Sequence, residues 1–143
     1  TERGKRLESE ARDLYAMLTD SAPVEVGFIR NGPKGCSPDS LIGADGMLEI
    51  KTKNPALLID ALLGDKFLDE HKAQCQGALW VAEREWIDLA CYWPGLPPVI
   101  HRAYRDEPYI ATLSEAVDSF NAELEEIVER VRSYAQPKHK EAA

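Results

Sequence analysis

Residues 37–51 read SPDSLIGADGMLEIK and form the most informative stretch of the sequence. An Asp-Gly pair stands between two apolar runs, which predicts a β-hairpin. The hairpin places Asp39 and Glu49 on neighbouring strands, where the two carboxylates can converge on one cation. Lys51 follows Glu49 by two residues on the same strand, so both side chains face one side of the sheet. The spacing therefore predicts a one-sided cluster of two acids and a lysine.

Two acids and a lysine in this order suit the hydrolysis of a phosphodiester bond. Carboxylate oxygens are good ligands for Mg²⁺ or Mn²⁺, and Mg²⁺ retains waters that a substrate can meet. The metal activates water and offsets charge on the phosphate. Lys51 can orient or deprotonate that water, or neutralise developing charge. A hairpin with solvated charges on its polar face would show the same residues, so the pattern alone leaves both interpretations open.

Composition narrows the class of protein. The 143 residues suffice for a single domain over 1–143. Its tail at 136–143 is expected to be frayed. The first residue is not methionine, which leaves open a missing N-terminal segment. Three cysteines without CxxC spacing predict reduced thiols. The net charge of −8 argues against a protein that coats nucleic acid. Cations do surround the hairpin, and Arg30, Lys34 and Lys53 are candidate DNA contacts.

The remaining patterns predict helices and strands that alternate along the chain. Apolar residues at helical spacing predict helices over residues 3–19, 56–63, about 66–82 and 112–134. Alternating apolar runs predict strands over residues 24–30, 36–43, 47–52, 86–92 and 99–104. No apolar run approaches the ~20 residues of a membrane span, so no membrane association is expected. The pattern indicates an α/β protein.

Four ordered segments resemble the lambda-type phage exonucleases, also called YqaJ-type viral recombinases, of the PD-(D/E)xK nuclease superfamily. The segments are RGKRLESEAR at 3–12, CSPD and LEIK at 36–39 and 48–51, HKAQCQGALWV at 71–81, and WIDLACYWP at 86–94. The resemblance implies a restriction-endonuclease-like core, in which a central mixed β-sheet is flanked by helices. Together these segments span most of the chain.

The resemblance also implies roles for individual residues. Asp39, Glu49 and the backbone carbonyl of Ile50 would ligate Mg²⁺, with Mn²⁺ as a substitute. Lys51 would be the catalytic lysine, and Gln74 would help to orient water or that lysine. Glu8 would support the metal site from the first helix, although a solvated Glu8 is the simpler interpretation of the helix by itself.

For activity, the resemblance implies Mg²⁺-dependent 5′-to-3′ degradation of linear double-stranded DNA in phage-type homologous recombination. It further implies DNA ends as substrate, a ring-shaped trimer, a single-strand annealing protein as partner, and the cytoplasm of a bacterial host for a phage- or prophage-encoded protein. Family members usually carry a DNA-binding region before the first helix, whereas this sequence starts at that helix. Two alternatives stay open: a structure-specific or restriction-like endonuclease on the same fold, and a non-catalytic interaction domain.

Overall fold

The computed structural model describes residues 1–64 and 67–136, with only the backbone at 67 and 68. Two compact units divide the chain, one at Thr1–Asp106 and one that begins at Glu107. The expected frayed tail lies outside the described residues from 137 onward. The expectation of a single domain stays a prediction. No helix among the described residues is long and apolar enough to cross a membrane.

Among the described residues, the first unit has four helices and seven strands, and the second has one helix. The helices are α1 (Glu2–Thr19), α2 (Pro55–Leu63), α3 (Phe67–Glu70), α4 (Lys72–Ala82) and α5 (Glu107–Ala135). The strands are β1 (Val24–Glu25), β2 (Ile29–Asn31), β3 (Lys34–Cys36), β4 (Ser40–Ile42), β5 (Gly46–Thr52), β6 (Trp86–Tyr92) and β7 (Val99–Tyr104).

Five strands form a mixed sheet in the order β1-β4-β5-β6-β7. The central pair β5 and β6 is parallel, and the other neighbours are antiparallel. Strands β2 and β3 form a separate antiparallel hairpin. The parallel pair needs a crossover connection, which α2, α3 and α4 provide. The predicted central mixed sheet flanked by helices is confirmed.

The central strand β5 is buried on both faces of the sheet. Met47 packs in a cluster with residues of α2 and α4, whereas Leu48 and Ile50 pack with Ala11 and Tyr15 of α1. Side chains alternate between faces along a strand, so Glu49 and Lys51 share the α4 side with Met47. The prediction that these two charged side chains face one side is therefore confirmed.

Two of the predicted strands are wrong because each one is interrupted. The predicted strand 24–30 divides into β1 and β2, and the predicted strand 36–43 divides into β3 and β4. The pieces have different partners, since β1 pairs with β4 in the main sheet while β2 pairs with β3. Pro38 lies in the break before β4 and has no N–H to donate to a ladder. Each interruption moves the chain from one sheet to the other.

Two helix boundaries also differ from the prediction. The helix predicted over about 66–82 is divided into α3 and α4, with His71 between them, and its first residue lies outside the described part of the chain. Helix α5 begins at Glu107, earlier than the predicted start at 112. Pro108 follows at once, and proline is favoured in the first turn because its missing N–H has no helical partner there.

The turn between β4 and β5 spans residues 43–45, so it includes Asp45 but not Gly46. Gly43 has a φ of +54°, in the left-handed region that favours glycine. Gly46 is instead the first residue of β5, and the ring of Trp86 from β6 packs directly over its Cα. A side chain at this position would enter the indole ring. The Asp-Gly pair therefore belongs to the strand as much as to the turn.

Replacing Gly46 with alanine is expected to lower the free energy of unfolding by about 2 kcal/mol, since overpacking a filled site typically costs 1–3 kcal/mol. Gly27→Ala is the matched control, because a Cβ at Gly27 meets open space among the described residues. Urea denaturation followed by far-UV circular dichroism measures both variants. Equal stability of Gly46→Ala and wild type would show that Trp86 moves aside without cost.

Candidate active site

The carboxylate of Asp39 binds the edge of β5 beyond the point where β4 pairs with it. Strand β4 begins at Ser40, opposite Leu48, so it does not extend alongside Ile50. Instead, the Ile50 backbone N–H donates to Asp39 Oδ2 at 2.6 Å. The N–H and C=O of one strand residue point to the same edge, so the Ile50 carbonyl also faces the Asp39 side. The edge of β5 thus brings one carboxylate and one backbone carbonyl together.

Glu49 connects this edge to helix α4. Its side chain is only 12% exposed, and Lys51 Nζ lies 3.4 Å from Glu49 Oε1. The Gln74 side-chain amide of α4 donates to the same oxygen at 2.9 Å. The structure therefore brings together Asp39, Glu49, the Ile50 carbonyl, Lys51 and Gln74, all of which the sequence had selected as candidates.

The two carboxylates repel each other in a partly desolvated place. Burial raises the pKa of Glu49, and the negative charge of Asp39 raises it further, while Lys51 and Gln74 oppose the change. Burial likewise raises the pKa of Asp39, with Glu8 adding to the increase and the Ile50 N–H, Arg12 and Lys51 opposing it. Negative charge is thus concentrated where water only partly solvates it, and a cation would relieve both effects.

Arg12 lies between Glu8 and the residue that follows Asp39, and it was not selected from the sequence. Its guanidinium lies 2.9 Å from Glu8 Oε1, donates to Ser40 Oγ at 2.9 Å, and lies 2.9 Å from Glu25 Oε1. Ser40 is fully buried and follows Asp39 directly. The spacing of Glu8 and Arg12 by four residues on α1 was the available signal, since such pairs meet on a helix. Arg12 therefore fixes the first helix against the strand that carries the site.

The donor set fits a divalent cation of the Mg²⁺ type. Within residues 1–64 and 67–136, no three His, Cys, Asp or Glu side chains are arranged to hold a metal ion. Mg²⁺ is commonly held by one or two carboxylates and retains several waters. The carboxylates of Asp39 and Glu49, with the carbonyl edge at Ile50, supply that smaller set. Burial raises the pKa of both acids, and a bound cation would oppose that increase.

The three candidate DNA contacts differ in their surroundings. Arg30 is exposed on the β2–β3 hairpin, where its Nε donates to the Gly32 carbonyl at 3.2 Å. The Lys34 ammonium lies 4.1 Å from the centre of the Trp80 ring. Lys53 forms an ion pair with Glu70 at 3.5 Å. Lys34 and Lys53 therefore have intramolecular partners, and DNA binding by the three residues stays a prediction.

Several nearby groups have structural rather than chemical roles. Burial raises the pKa of Cys75 and Cys91 to about 11, which makes both thiols weak nucleophiles, and all three cysteines are free. Burial and the charge of Glu49 also raise the pKa of Cys36. Gln76 is buried and donates to the Tyr104 carbonyl, while its Oε1 accepts from the Asp106 N–H. Of the two glutamines in Gln-x-Gln, only Gln74 therefore contacts the site.

A mixed sheet with two acids and a lysine at its central strand is a nuclease-type arrangement, and the comparisons give its family. The family model described as the YqaJ-like viral recombinase domain matches residues 1–85. An alkaline exonuclease from Laribacter hongkongensis is 33% identical, with a TM-score of 0.85 over 94% of this chain and 73% of that one. The chain belongs to the YqaJ-like viral recombinase family, which confirms the predicted resemblance.

Two further solved structures are also similar to this chain. The same Laribacter hongkongensis exonuclease has been solved in complex with dAMP, with 33% identity and a TM-score of 0.84 over 94% of this chain and 72% of that one. A phage related exonuclease from Haemophilus somnus 129PT has 14% identity and a TM-score of 0.69 over 91% of this chain and 72% of that one. The second likeness shows the fold alone. Comparison with curated proteins found no match.

Proposed function

We propose that this protein is a Mg²⁺-dependent deoxyribonuclease that degrades one strand of linear double-stranded DNA from its 5′ end. The observation that carries the proposal is the contact of Lys51 and Gln74 with Glu49, beside Asp39 on the β5 edge. The 33% identity to an alkaline exonuclease supports DNA as the substrate. The complex of that relative with dAMP is consistent with a nucleotide as the product.

In this proposal the acids and the carbonyl form the cation site. Asp39, Glu49 and the Ile50 carbonyl would hold Mg²⁺ or Mn²⁺, which when bound would polarise the phosphate and lower the pKa of a water. Glu8 would add negative charge from α1, where Arg12 holds it at 2.9 Å. The Ile50 N–H keeps the Asp39 carboxylate oriented. The repulsion between the acids favours cation binding over the cation-free state.

Lys51 and Gln74 would act on the attacking water and on the phosphate. Lys51 Nζ can contact a phosphate oxygen while it stays near Glu49, and so stabilise charge that develops during attack. The Gln74 amide nitrogen donates to Glu49, so its amide oxygen remains able to accept a hydrogen bond from water. The two side chains thereby place a donor and an acceptor near the same Glu49 oxygen.

The biological setting is part of the same proposal. Family membership supports action at DNA ends in phage-type homologous recombination, in the cytoplasm of a bacterial host. A single-strand annealing protein as partner and a ring-shaped trimer follow from the same resemblance. Arg30, Lys34 and Lys53 are proposed contacts for the duplex. An endonuclease on the same fold and a non-catalytic interaction domain are the alternatives that the experiment must separate.

The proposal is tested with duplex DNA labelled at either the 5′ or the 3′ end, in the presence and absence of Mg²⁺. Mg²⁺-dependent release of the 5′ label as mononucleotides, with covalently closed circles left intact, is expected. Digestion of closed circles at a similar rate would indicate an endonuclease. Release of the 3′ label first would contradict the proposed polarity.

A calorimetric titration with Mn²⁺ tests the cation site independently of DNA. Asp39→Asn is expected to weaken Mn²⁺ binding by about tenfold or more, because a charged carboxylate ligand becomes neutral. Asp60→Asn is the matched control, since Asp60 is exposed on α2. Equal Mn²⁺ binding by Asp39→Asn and wild type, with no nuclease activity in either protein, would favour the non-catalytic interaction domain.

A further inference from the structure

Helix α5 carries apolar side chains at alternating steps of four and three residues. These residues are Leu113, Val117, Phe120, Leu124, Ile127, Val131 and Tyr134. Alternating steps of this kind define the a and d positions of a coiled coil, in which two helices bury one seam against each other. A straight helix drifts from such a seven-residue repeat by ~20° per heptad, so a sustained repeat indicates a helix that pairs with another. We call these seven residues the α5 seam.

The C-terminal part of the α5 seam is exposed. Its exposed members are Phe120 at 63%, Leu124 at 45%, Ile127 at 55%, Val131 at 63% and Tyr134 at 77%. The opposite side of the helix carries Glu115, Ala122 and Glu129, also exposed. Contiguous exposed apolar surface bordered by polar residues marks an interaction site in soluble proteins. The exposed seam therefore needs a partner with an apolar seam of its own.

Charges beside the α5 seam select a second copy in antiparallel orientation. Glu123 and Arg130 both occupy the g positions, one heptad apart. In an antiparallel pair, g positions face g positions, so Glu123 of each copy would lie opposite Arg130 of the other. The same register sets Leu124 against Ile127. One antiparallel register therefore satisfies both the ion pairs and the apolar layers. The two ion pairs in it are related by a two-fold axis.

A parallel pair would not use these charges. In that orientation each g position faces an e position of the other helix. The e positions near Glu123 and Arg130 are Asn121, Val128 and Ala135, all uncharged. Both charges would then lack a partner across the seam. The sequence of α5 therefore favours the antiparallel arrangement.

We propose that α5 joins two copies of this chain in an antiparallel coiled coil, with its two-fold axis at the layer of Leu124 and Ile127. The pairing does not depend on the proposed nuclease function. It also differs from a three-fold ring, because a two-fold contact joins copies in pairs. For a chain with both contacts, the smallest closed assembly has six copies, and a chain with the pairing alone would form a dimer.

Sedimentation velocity of the full chain over a range of concentrations tests the pairing. Wild type is expected to form a dimer or an assembly of six, and Ile127→Glu to raise the dissociation constant of the pair more than about a hundredfold, because the seam would bury two unpaired carboxylates. Ala122→Glu adds the same charge on the face of α5 opposite the seam, and it should leave the mass of the assembly unchanged. Far-UV circular dichroism checks that each variant keeps its helices.

Charge reversal tests the orientation. Glu123→Arg alone and Arg130→Glu alone should each weaken the pair by about tenfold, since like charges then face each other twice. The double variant Glu123→Arg/Arg130→Glu should restore the wild-type dissociation constant. If wild type is monomeric or trimeric at every concentration, the pairing is overturned. The pairing is also overturned if Ile127→Glu leaves the mass of the assembly unchanged. A double variant as weak as either single one overturns the antiparallel register.

Discussion

Replacing Glu49 with glutamine is expected to reduce the proposed nuclease activity by about 10³-fold, because several kcal/mol of transition-state stabilisation depend on the bound cation. Glutamine keeps the size of the side chain and can still accept from Gln74. It removes the negative charge that would attract the cation and that balances Lys51. The rate of Mg²⁺-dependent digestion of linear duplex measures the loss.

The same substitution is expected to stabilise the protein in the presence of a chelator. Burial and the charge of Asp39 raise the pKa of Glu49 above its ordinary value of 4.5. The folded state therefore binds a proton at Glu49 more tightly than the unfolded state does. The ionised Glu49 accordingly opposes folding, and a neutral glutamine does not.

The sign of the pH dependence follows from this raised pKa. The stability of wild type should rise as the pH falls through the raised pKa of Glu49, and that gain should level off below the ordinary value of 4.5. Glu49→Gln cannot take up this proton, so its advantage in free energy of unfolding should be greatest near neutral pH and vanish in acid. Thermal unfolding with chelator at several pH values measures the difference.

The control for Glu49→Gln is Glu115→Gln, since Glu115 is exposed on α5 and distant in sequence from the site. It should change neither activity nor stability. A Glu49→Gln protein that digests DNA at the wild-type rate would remove Glu49 from the proposed site. A variant less stable than wild type in chelator at neutral pH would instead show that Lys51 and Gln74 outweigh the burial of the charge.

Replacing Asp88 with alanine is expected to lower the free energy of unfolding by about 3 kcal/mol, because it removes hydrogen bonds to a buried charged group, whereas Arg102 is 41% exposed and can still be solvated. Asp88 is 2% exposed in β6. Tyr15 Oη donates to Asp88 Oδ2 at 2.5 Å, and Arg102 donates to both Asp88 oxygens, at 2.8 and 3.0 Å. Alanine would leave the buried Tyr15 hydroxyl without this acceptor.

The network around Asp88 attaches α1 to the sheet, which explains the expected size of the effect. Tyr15 comes from α1, and Asp88 pairs with Arg102 of β7 directly across the strands. The Arg102 guanidinium also lies 3.7 Å from the centre of the Trp86 ring. Burial and the neighbouring Asp88 raise the pKa of Tyr15, so its hydroxyl stays protonated as a donor. Loss of Asp88 would therefore loosen the helix that carries Glu8.

Urea denaturation with near-UV circular dichroism measures the Asp88→Ala effect. Tyr15→Phe should cost less, about 1.5–3 kcal/mol, because it removes one hydrogen bond to a charged group and leaves the pair with Arg102. Asp13→Ala, at an exposed position of α1, is the matched control and should be near neutral. A loss below about 1 kcal/mol for Asp88→Ala would mean that the buried pair does not hold the helix.

Much of the candidate site could be predicted because its signals are local. The alternation along residues 47–51 shows which side chains share a face, and Glu49 and Lys51 therefore did not require a structure to be grouped. Asp39 was placed beside them by the short hairpin. Gln74 and Glu8 were selected from the resemblance rather than from spacing. Both lie on helices outside the hairpin, and no local pattern shows which strand such a helix packs against.

The sequence by itself determined the elements whose apolar residues repeat at a regular period: helix α1 with its apolar stripe, strand β5, and helix α5. The tertiary structure alone decided where the predicted strands break and how Asp88, Tyr15 and Arg102 meet, because these outcomes depend on partners far apart in sequence. Tyr15 and Asp88 are separated by 73 residues. A local period shows which face is buried, whereas only the folded chain shows which residue lies against it.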